Sequence, residues 1–593
     1  MYLTALDWTI IGAYFALSLG IGLYYYRRAG EDTQAFFVAG RSLPWWLAGT
    51  SMVATTFAAD TPLAVTEMVA RHGVAGNWLW WSMLPSGMLT VFFFARLWRR
   101  AEVMTDVEFA ELRYSGRPAA FLRGFRSLYL GVAINLIIMG WVNLGMAKVL
   151  SGTLGLQKWQ AVGFCLAITL VYSSLSGIWG VVVTDAVQFV IAMAGSIVLA
   201  VLAVRAVGGI EALQAGLERV TPSGASEAFG ANALSLWSDG SAAWMLPLVT
   251  LATYLGVNWW ASWYPGAEPG GGGFIAQRIF SARDEKHGLL AALWFNVAHY
   301  ALRPWPWILV ALCSLVLYGG AAVNPATGEV DAAFGYVRVM NEFLPAGFRG
   351  LLLASFAAAY MSTIATQLNW GSSYLVNDFY RRFVRRNAGE AHYVAAARAA
   401  TVVTAALGAV VTYFMNRITG GWELVLTLGA GTGLVYILRW YWWRINAWSE
   451  IAAMSAALVV SIGVRWLGTF DSETPAGFAL TMLTTVGVTT VVWVLATFLT
   501  APEPDPQLVA FYRRVRPAGP GWRGVAALAG RVDAARVERL APGFVNWLLG
   551  IAVVYSTLFG AGEILFGAWT TAFIFSAVAA VTAALLVRRL GSA

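Results

Sequence analysis

The sequence predicts an all-α integral membrane protein with about 15 transmembrane helices. Three observations predict it. Hydrophobic residues make up 59% of the 593 and charged residues 12%, against about 45–50% and about 25% in soluble domains. Mean hydropathy is +0.65. The apolar residues form continuous runs of roughly 20, the length that crosses a bilayer as helix, without the alternation of barrel strands. So much apolar surface does not fit inside cores of ordinary size. A soluble enzyme, a nucleic-acid binder and a disordered scaffold are excluded.

In chain order, the spans are read near 4–26, 43–70, 77–98, 125–151, 158–178, 180–206, 241–264, 289–319, 346–376, 393–416, 420–441, 447–468, 476–502, 545–562 and 566–588. The first follows no basic segment and is too long for a cleaved leader, so it is expected to remain as a span. Seven inter-span or terminal segments (27–42, 96–126, 265–288, 377–399, 439–444, 503–544 and 588–593) carry 29 of the 39 basic residues. Nine more lie in or beside segments on the other side, and Arg303 lies inside a span. Basic residues collect on the cytoplasmic side, which puts the N-terminus outside and the C-terminus in the cytoplasm of an inner membrane. All but three of the basic residues are Arg, beside 61 Gly, a skew that suggests a GC-rich bacterial genome. Cys165 and Cys313 sit within apolar runs, so no disulfide framework is expected. His72, His287, His299 and His392 are too scattered for a metal-ligand pattern. The 503–544 stretch, proline-rich at its start, reads as a cytoplasmic linker with a short basic helix. No Gly-Lys-Ser/Thr loop for ATP is present. Gly270–Gly273, after Pro269, follows no strand and reads as a flexible inner loop.

Four spans break their apolar pattern. In the second, Thr55, Thr56, Asp60 and Thr61 precede or flank Pro62, which has no N–H for the carbonyl of Ala58. The helix must bend or unwind there and free carbonyls between about Ala54 and Ala58. An acid at a span centre costs roughly 2.5–3.5 kcal/mol on insertion scales. A plain proline kink is one reading. The added polar residues favour a cation or solute site of the kind discontinuous helices provide. In the ninth span, residues 359, 362, 363 and 366 share one helix face. Ser362, Thr363 and Thr366 either bond their own backbone or join freed carbonyls in a hard-oxygen cage for a small cation. Asp185 stands near the start of the sixth span, as an ion ligand or as an interfacial helix cap. Arg303, flanked by Pro304 and Pro306 in the eighth span, reads as a structural counter-ion for an acidic group. Three roles are open to Asp60: holding solute, biasing the field at the cation, or pairing with Arg303.

At these residues the chain resembles the sodium/solute symporter family, whose members carry sugars, proline, sialic acid and pantothenate. Phe37–Trp46 precedes the broken helix as in the family. The segment from Thr105 through Glu108 and Phe109 to Arg113 and Tyr114 is similar to its inner-loop motif. Gly180–Gln188 is similar to its span-entry motif, Ala276–Arg278 to its basic loop, and Ala359–Asn369 with Asp378–Tyr380 to its ion-binding helix. The resemblance covers residues 5 to about 440 in order. It implies a LeuT-like 5+5 inverted-repeat core with one extra N-terminal helix and four extra C-terminal helices. The division is then 1–42 extra helix and inner loop, 43–206 first repeat, 207–240 outer loop, 241–441 second repeat, 442–502 two peripheral helices, 503–544 linker and 545–593 two C-terminal helices.

The resemblance also implies ligands. The main Na⁺ would take carbonyls of Ala54, Phe57 and Ala359 with hydroxyls of Ser362 and Thr363. A second would take Asp185, Ser362 and Thr366, although one of its hydroxyl positions reads Ala365. On the solute side, Trp80 and Met83 stand where the sugar branch has Glu and Ser, and Thr56 and Thr61 where it has amides. Asp60, Asn258, Trp259 and Trp260 complete the expected solute set. The function expected is sodium-coupled import of a small organic solute, a sugar or polyol favoured, with an amine-bearing compound or carboxylate open. The alternatives are proton-coupled or uncoupled transport with Asp60 titrating, a membrane sensor on the same core, or a channel. No enzymatic activity, ATP or nucleic acid is expected.

Overall fold

The computed structural model of the protein describes residues 3–29, 41–103, 106–173, 178–264, 267–320, 322–324, 328–471, 473–530 and 540–591. Residues 37–40 of the first motif, Thr105 of the second and Pro265 lie outside them. Among the described residues the structure is helical, without a strand beyond isolated bridges. In chain order the helices that matter are α1 (Ala5–Ala29), α2 (Trp45–Thr55), α3 (Thr61–His72), α4 (Val74–Ala101), α5 (Gly116–Leu154), α6 (Lys158–Ser173) and α7 (Ile178–Val207). After an outer loop come α8 (248–261), α9 (Gly273–Ser281), α10 (Glu285–Tyr318), α11 (Phe334–Phe343) and α12 (Phe348–Val384). The chain ends with α13 (Glu390–Phe414), α14 (Ile418–Leu428), α15 (Gly433–Tyr441), α16 (Ala447–Trp466), α17 (Pro475–Leu499), α18 (Asp505–Val515), α19 (Leu540–Leu565) and α20 (Trp569–Gly591).

Ten described helices are long and apolar enough to cross a bilayer, or eleven with α14–α15 taken as one span bent by 47°. The other four expected spans fall short for visible reasons. The pairs α2–α3 and α8–α9 are interrupted, α6 has 16 residues, and α1 is apolar over Ala5–Leu17. Ends are tied by side chains. Asp7 near the start of α1 accepts from the Gly347 and Gly350 amides at 2.7 and 2.8 Å, capping α12. These are donors that a helix start leaves unsatisfied.

Two expectations change. The Gly270–Gly273 run is no flexible loop. Residues 267–272 are buried, the Ser86 hydroxyl donates to the Ala267 carbonyl at 2.8 Å, and the Trp98 indole donates to Gly270 O at 2.7 Å. Gly270 and Gly271 have φ of 86° and 70°, where a Cβ is strained. A Cβ on Gly271 would also meet the Trp98 indole nitrogen at 2.8 Å. The stretch is therefore the break in a second interrupted helix, and buried α9 continues it. The linker is likewise docked. Gln507 of α18 donates to the Glu111 and Leu112 carbonyls, and Trp522 donates to Trp440 O at 2.8 Å. Buried Arg113 donates to the carbonyl of Arg439 in the last turn of α15 and to those of Trp442, Trp443 and Ile445 just beyond it. Linker residues thus buttress the end of the core at which α15 finishes.

Helix α5 passes the α2–α3 break so closely that a Cβ on Gly145 would lie 2.5 Å from the Asp60 Cα. Gly145→Ala is expected to destabilise the protein by about 1–3 kcal/mol, the usual range for overpacking. A thermal melt in detergent checks it, an unchanged midpoint being the contrary result.

Candidate functional site

Helix α2 stops at Thr55, residues 56–60 run without regular helix, and Pro62 has no N–H to offer the Ala58 carbonyl. The Ala58 carbonyl is met instead by the Thr61 N–H at 3.2 Å, and Ala54 O by the Phe57 N–H at 3.0 Å. Thr55 and Phe57 carbonyls take no backbone partner among the described residues. The Thr363 hydroxyl of α12 lies 3.5 Å from Thr55 O. Ala54, Phe57, Ala359 and Thr363 are all buried here, where α12 crosses the end of α2. This gathers hard oxygens, the donor type suited to a small hard cation. No group of three or more His, Cys, Asp or Glu that would hold a metal occurs among the described residues.

Just below, Asp185 lies seven residues into α7 and is 1% exposed. It therefore does not cap a helix, and the interfacial-cap reading is corrected. Its carboxylate accepts from the Ser51 hydroxyl at 2.7 Å and the Ser362 hydroxyl at 3.0 Å. Arg278 of α9 reaches Ser51 at 3.5 Å. Ser362 thus turns toward Asp185 while Thr363 turns toward the α2 end. Thr366 is half-buried and makes no hydrogen bond to this cluster.

Beside the break is a cavity of about 90 Å³, walled by α2–α3, α4, α5, α9, α10, α12 and α14. Of the residues expected to face solute, Thr56, Asp60, Thr61, Trp80 and Met83 line it. Asn258, Trp259 and Trp260 do not. Asn258 is buried behind the wall and donates to the Ser82 hydroxyl at 3.1 Å. The Trp259 and Trp260 indoles bond carbonyls of their own helix, Leu255 O and Gly256 O, and Trp259 packs on Trp547 of α19.

Arg303 lines the cavity and is 1% exposed. It forms no ion pair with Asp60, so the counter-ion reading is corrected. One arm donates to Val53 O at 3.3 Å and to the Thr56 hydroxyl at 3.0 Å, and the other meets His299 Nε2 at 3.3 Å. The guanidinium stacks over Trp307 at 5.2 Å. Thr56 is also 3.1 Å from His299 Nδ1. Arg303 therefore bolts the broken helix to α10, where its planar fork suits several acceptors at once.

Aromatic faces complete the walls. Trp80 stacks on Tyr300 at 5.8 Å and Trp141 on Tyr264 at 6.5 Å, with Trp422 edge-on to Tyr264 at 6.1 Å. Four lining groups keep a buried polar atom without a hydrogen-bond partner: Asp60 Oδ1, Gln367 Oε1, Arg303 Nε and Trp422 Nε1. The Trp422 indole approaches the Asp60 carboxyl without closing a hydrogen bond. The sequence reading did not include His299, Tyr300, Gln367, Trp141 and Trp422 among the solute residues. For His299, its place one turn before Arg303 was the available signal.

Fold and site together define a secondary carrier built on interrupted helices. The sodium:solute symporter family model matches residues 36–459, and the chain belongs to that family. It is accordingly a sodium-coupled symporter and not an enzyme. The chain is 26% identical over 482 residues to the sodium/mannose cotransporter of Bos taurus, covering 77% of this chain and 78% of that one. It is 23% identical over 488 residues to the sodium/glucose cotransporter of Vibrio parahaemolyticus, covering 78% and 86%. The fold matches a Na⁺-coupled sialic acid symporter in a substrate-bound outward-open state, with TM-score 0.65, 18% identity, and 84% and 99% of the two chains covered. The LeuT-like core is thus established as a fold.

Because Arg303 holds three acceptors through two arms, Arg303→Lys replaces a fork with a point donor. Solute uptake is expected to fall at least roughly tenfold, the effect of losing one charged hydrogen bond, in protein that still inserts. Uptake within twofold of the unaltered protein is the contrary outcome.

Proposed function

We propose that this protein imports a neutral polyhydroxylated solute, a sugar or polyol, into a bacterial cell by sodium symport. One observation carries the solute class. The cavity sets unpartnered acceptors (Asp60 Oδ1, Gln367 Oε1) and donors (Arg303 Nε, Trp422 Nε1) between aromatic faces. Hydroxyl groups both donate and accept, and sugar faces stack on aromatic rings, so such a solute satisfies every one of these atoms. The sodium/mannose and sodium/glucose cotransporters among the relatives support the same class. A second reading rests on Asp60 and Arg303 standing unpaired in one cavity. A zwitterion would pair with both.

Sodium in this proposal is held by the carbonyls of Ala54, Phe57 and Ala359 with the Thr363 and Ser362 hydroxyls. Ala365 and the unlinked Thr366 leave the Asp185 cluster short of ligands, which favours one Na⁺ per cycle. Asp185 then serves the inner exit path. At about 100 mV and a tenfold gradient one Na⁺ supplies about 2.3 plus 1.4 kcal/mol, enough for several-hundredfold accumulation. The repeats run from 43–206 and 241–441 in this scheme, with the N-terminus outside and the C-terminus in the cytoplasm.

The test is a thermal-shift screen of hexoses, polyols and zwitterions with Na⁺ or choline. Stabilisation by a hexose or polyol that requires Na⁺ is expected, and a shift confined to zwitterions selects the second reading. Thr363→Ala should raise the Na⁺ concentration for half-maximal uptake roughly tenfold, since one ligand oxygen is lost. An unchanged Na⁺ dependence contradicts the cation assignment. Asp60→Asn should abolish solute-induced stabilisation while Na⁺-induced stabilisation persists. Normal solute binding by that variant contradicts the place given to Asp60.

A further inference from the structure

Outside the cavity a buried polar cluster gathers at Glu67, which neither the sodium nor the solute scheme uses. Glu67 is 3% exposed and lies midway along α3, seven residues beyond Asp60 and so on the same helix face. Its carboxylate accepts from the Ile418 amide at 3.3 Å, the Thr419 amide at 3.1 Å and the Thr419 hydroxyl at 2.9 Å. Those are the first two residues of α14. Lys148 of α5 adds an ion pair to Glu67 at 3.2 Å and to Asp331 before α11 at 2.8 Å. Helices α3, α5 and α14 therefore meet on one carboxylate, and Lys148 extends the link to Asp331.

What the carboxylate holds is the start of a half-helix that walls the cavity. Helix α14 supplies Trp422 and Leu426 to the cavity wall. At its far end the chain bends by 47° into α15, through 429–432, where Gly431 has φ of 84°. A segment bent at one end and bonded at the other, with its middle over the ligand space, has the construction of a lid. An anion at a helix N-terminus is favoured by the free amides and the helix dipole, so the bond is strong only when α14 is seated.

We infer that Glu67 is a positioning residue for transport, a latch that seats α14 over the cavity and closes it toward the side on which α3 ends. The inference rests on the transport class and not on which solute is carried. Opening the site breaks the Glu67 bonds to Ile418 and Thr419, and closing restores them. Lys148 and Asp331 hold the carboxylate in place while α14 moves.

The experiment uses the full chain with Cys165→Ala and Cys313→Ala, both native thiols being buried, and Leu426→Cys as reporter in the cavity. A membrane-impermeant methanethiosulfonate reagent is applied in Na⁺ buffer to intact cells and to inverted vesicles, giving outside and inside labelling rates of one thiol. Glu67→Ala should raise the outside-to-inside ratio roughly tenfold, as expected for loss of charge-assisted bonds from one of two states. Glu67→Asp should recover part of that change. A ratio that stays the same, or equal acceleration from both sides, means that Glu67 merely stabilises the fold and overturns the inference. Should Glu67→Ala fail to insert, Glu67→Gln and Thr419→Val read the same ratio with smaller expected changes, and an unchanged ratio in both overturns it equally.

Discussion

The structure depends on one constraint: a backbone that leaves the α-helix inside the membrane must find other partners for its amides and carbonyls. At residues 56–60 the chain meets this with the Thr61 amide on Ala58, the Arg303 fork on Val53 and Thr56, and the Thr363 hydroxyl near Thr55. Each replacement partner comes from a different part of the chain. The break therefore ties α3, α10 and α12 to one another. In the proposed scheme a cation site and a solute cavity share that junction, and this proximity would let one occupancy depend on the other.

The second interruption repeats the logic with other chemistry. Between α8 and α9 Pro269 is followed by glycines, two of them at positive φ, and the carbonyls at 267 and 270 are met by Ser86 and Trp98 of α4. Helix α9 then delivers Arg278 toward Ser51, and so into the Asp185–Ser362 cluster beneath the cation junction. The two breaks thus face each other through a short polar column. Farther in, Arg113 and the docked linker fix the end of α15.

How much was legible in the sequence follows from how local each signal is. The Pro62 break was readable because a missing amide acts on its own turn, and Asp60 because a charge in an apolar run stands out. The face carrying Ser362 and Thr363 followed from helical spacing. The Gly270–Gly273 break was misread because glycine permits both a loose loop and a tightly packed one, and only the Trp98 and Tyr436 surfaces decide between them. Trp259 and Trp260 were placed at the solute by their residue type, yet each indole satisfies its own helix. Tyr300, Gln367 and Trp422 sit in ordinary-looking helices and reach the cavity only through packing.

The central claim is that a sodium ion at the broken helix drives uptake of a polyhydroxylated solute from the adjoining cavity. Its most direct test is uptake of a radiolabelled hexose panel into proteoliposomes containing the purified protein. The external buffer holds Na⁺ or choline, and a potassium gradient with valinomycin sets the membrane potential. The account predicts concentrative uptake of at least one hexose only with inward Na⁺, rising as the interior is made negative and collapsing when gramicidin equalises the ions. Equal uptake in choline, or accumulation that follows an imposed pH gradient instead, would contradict it.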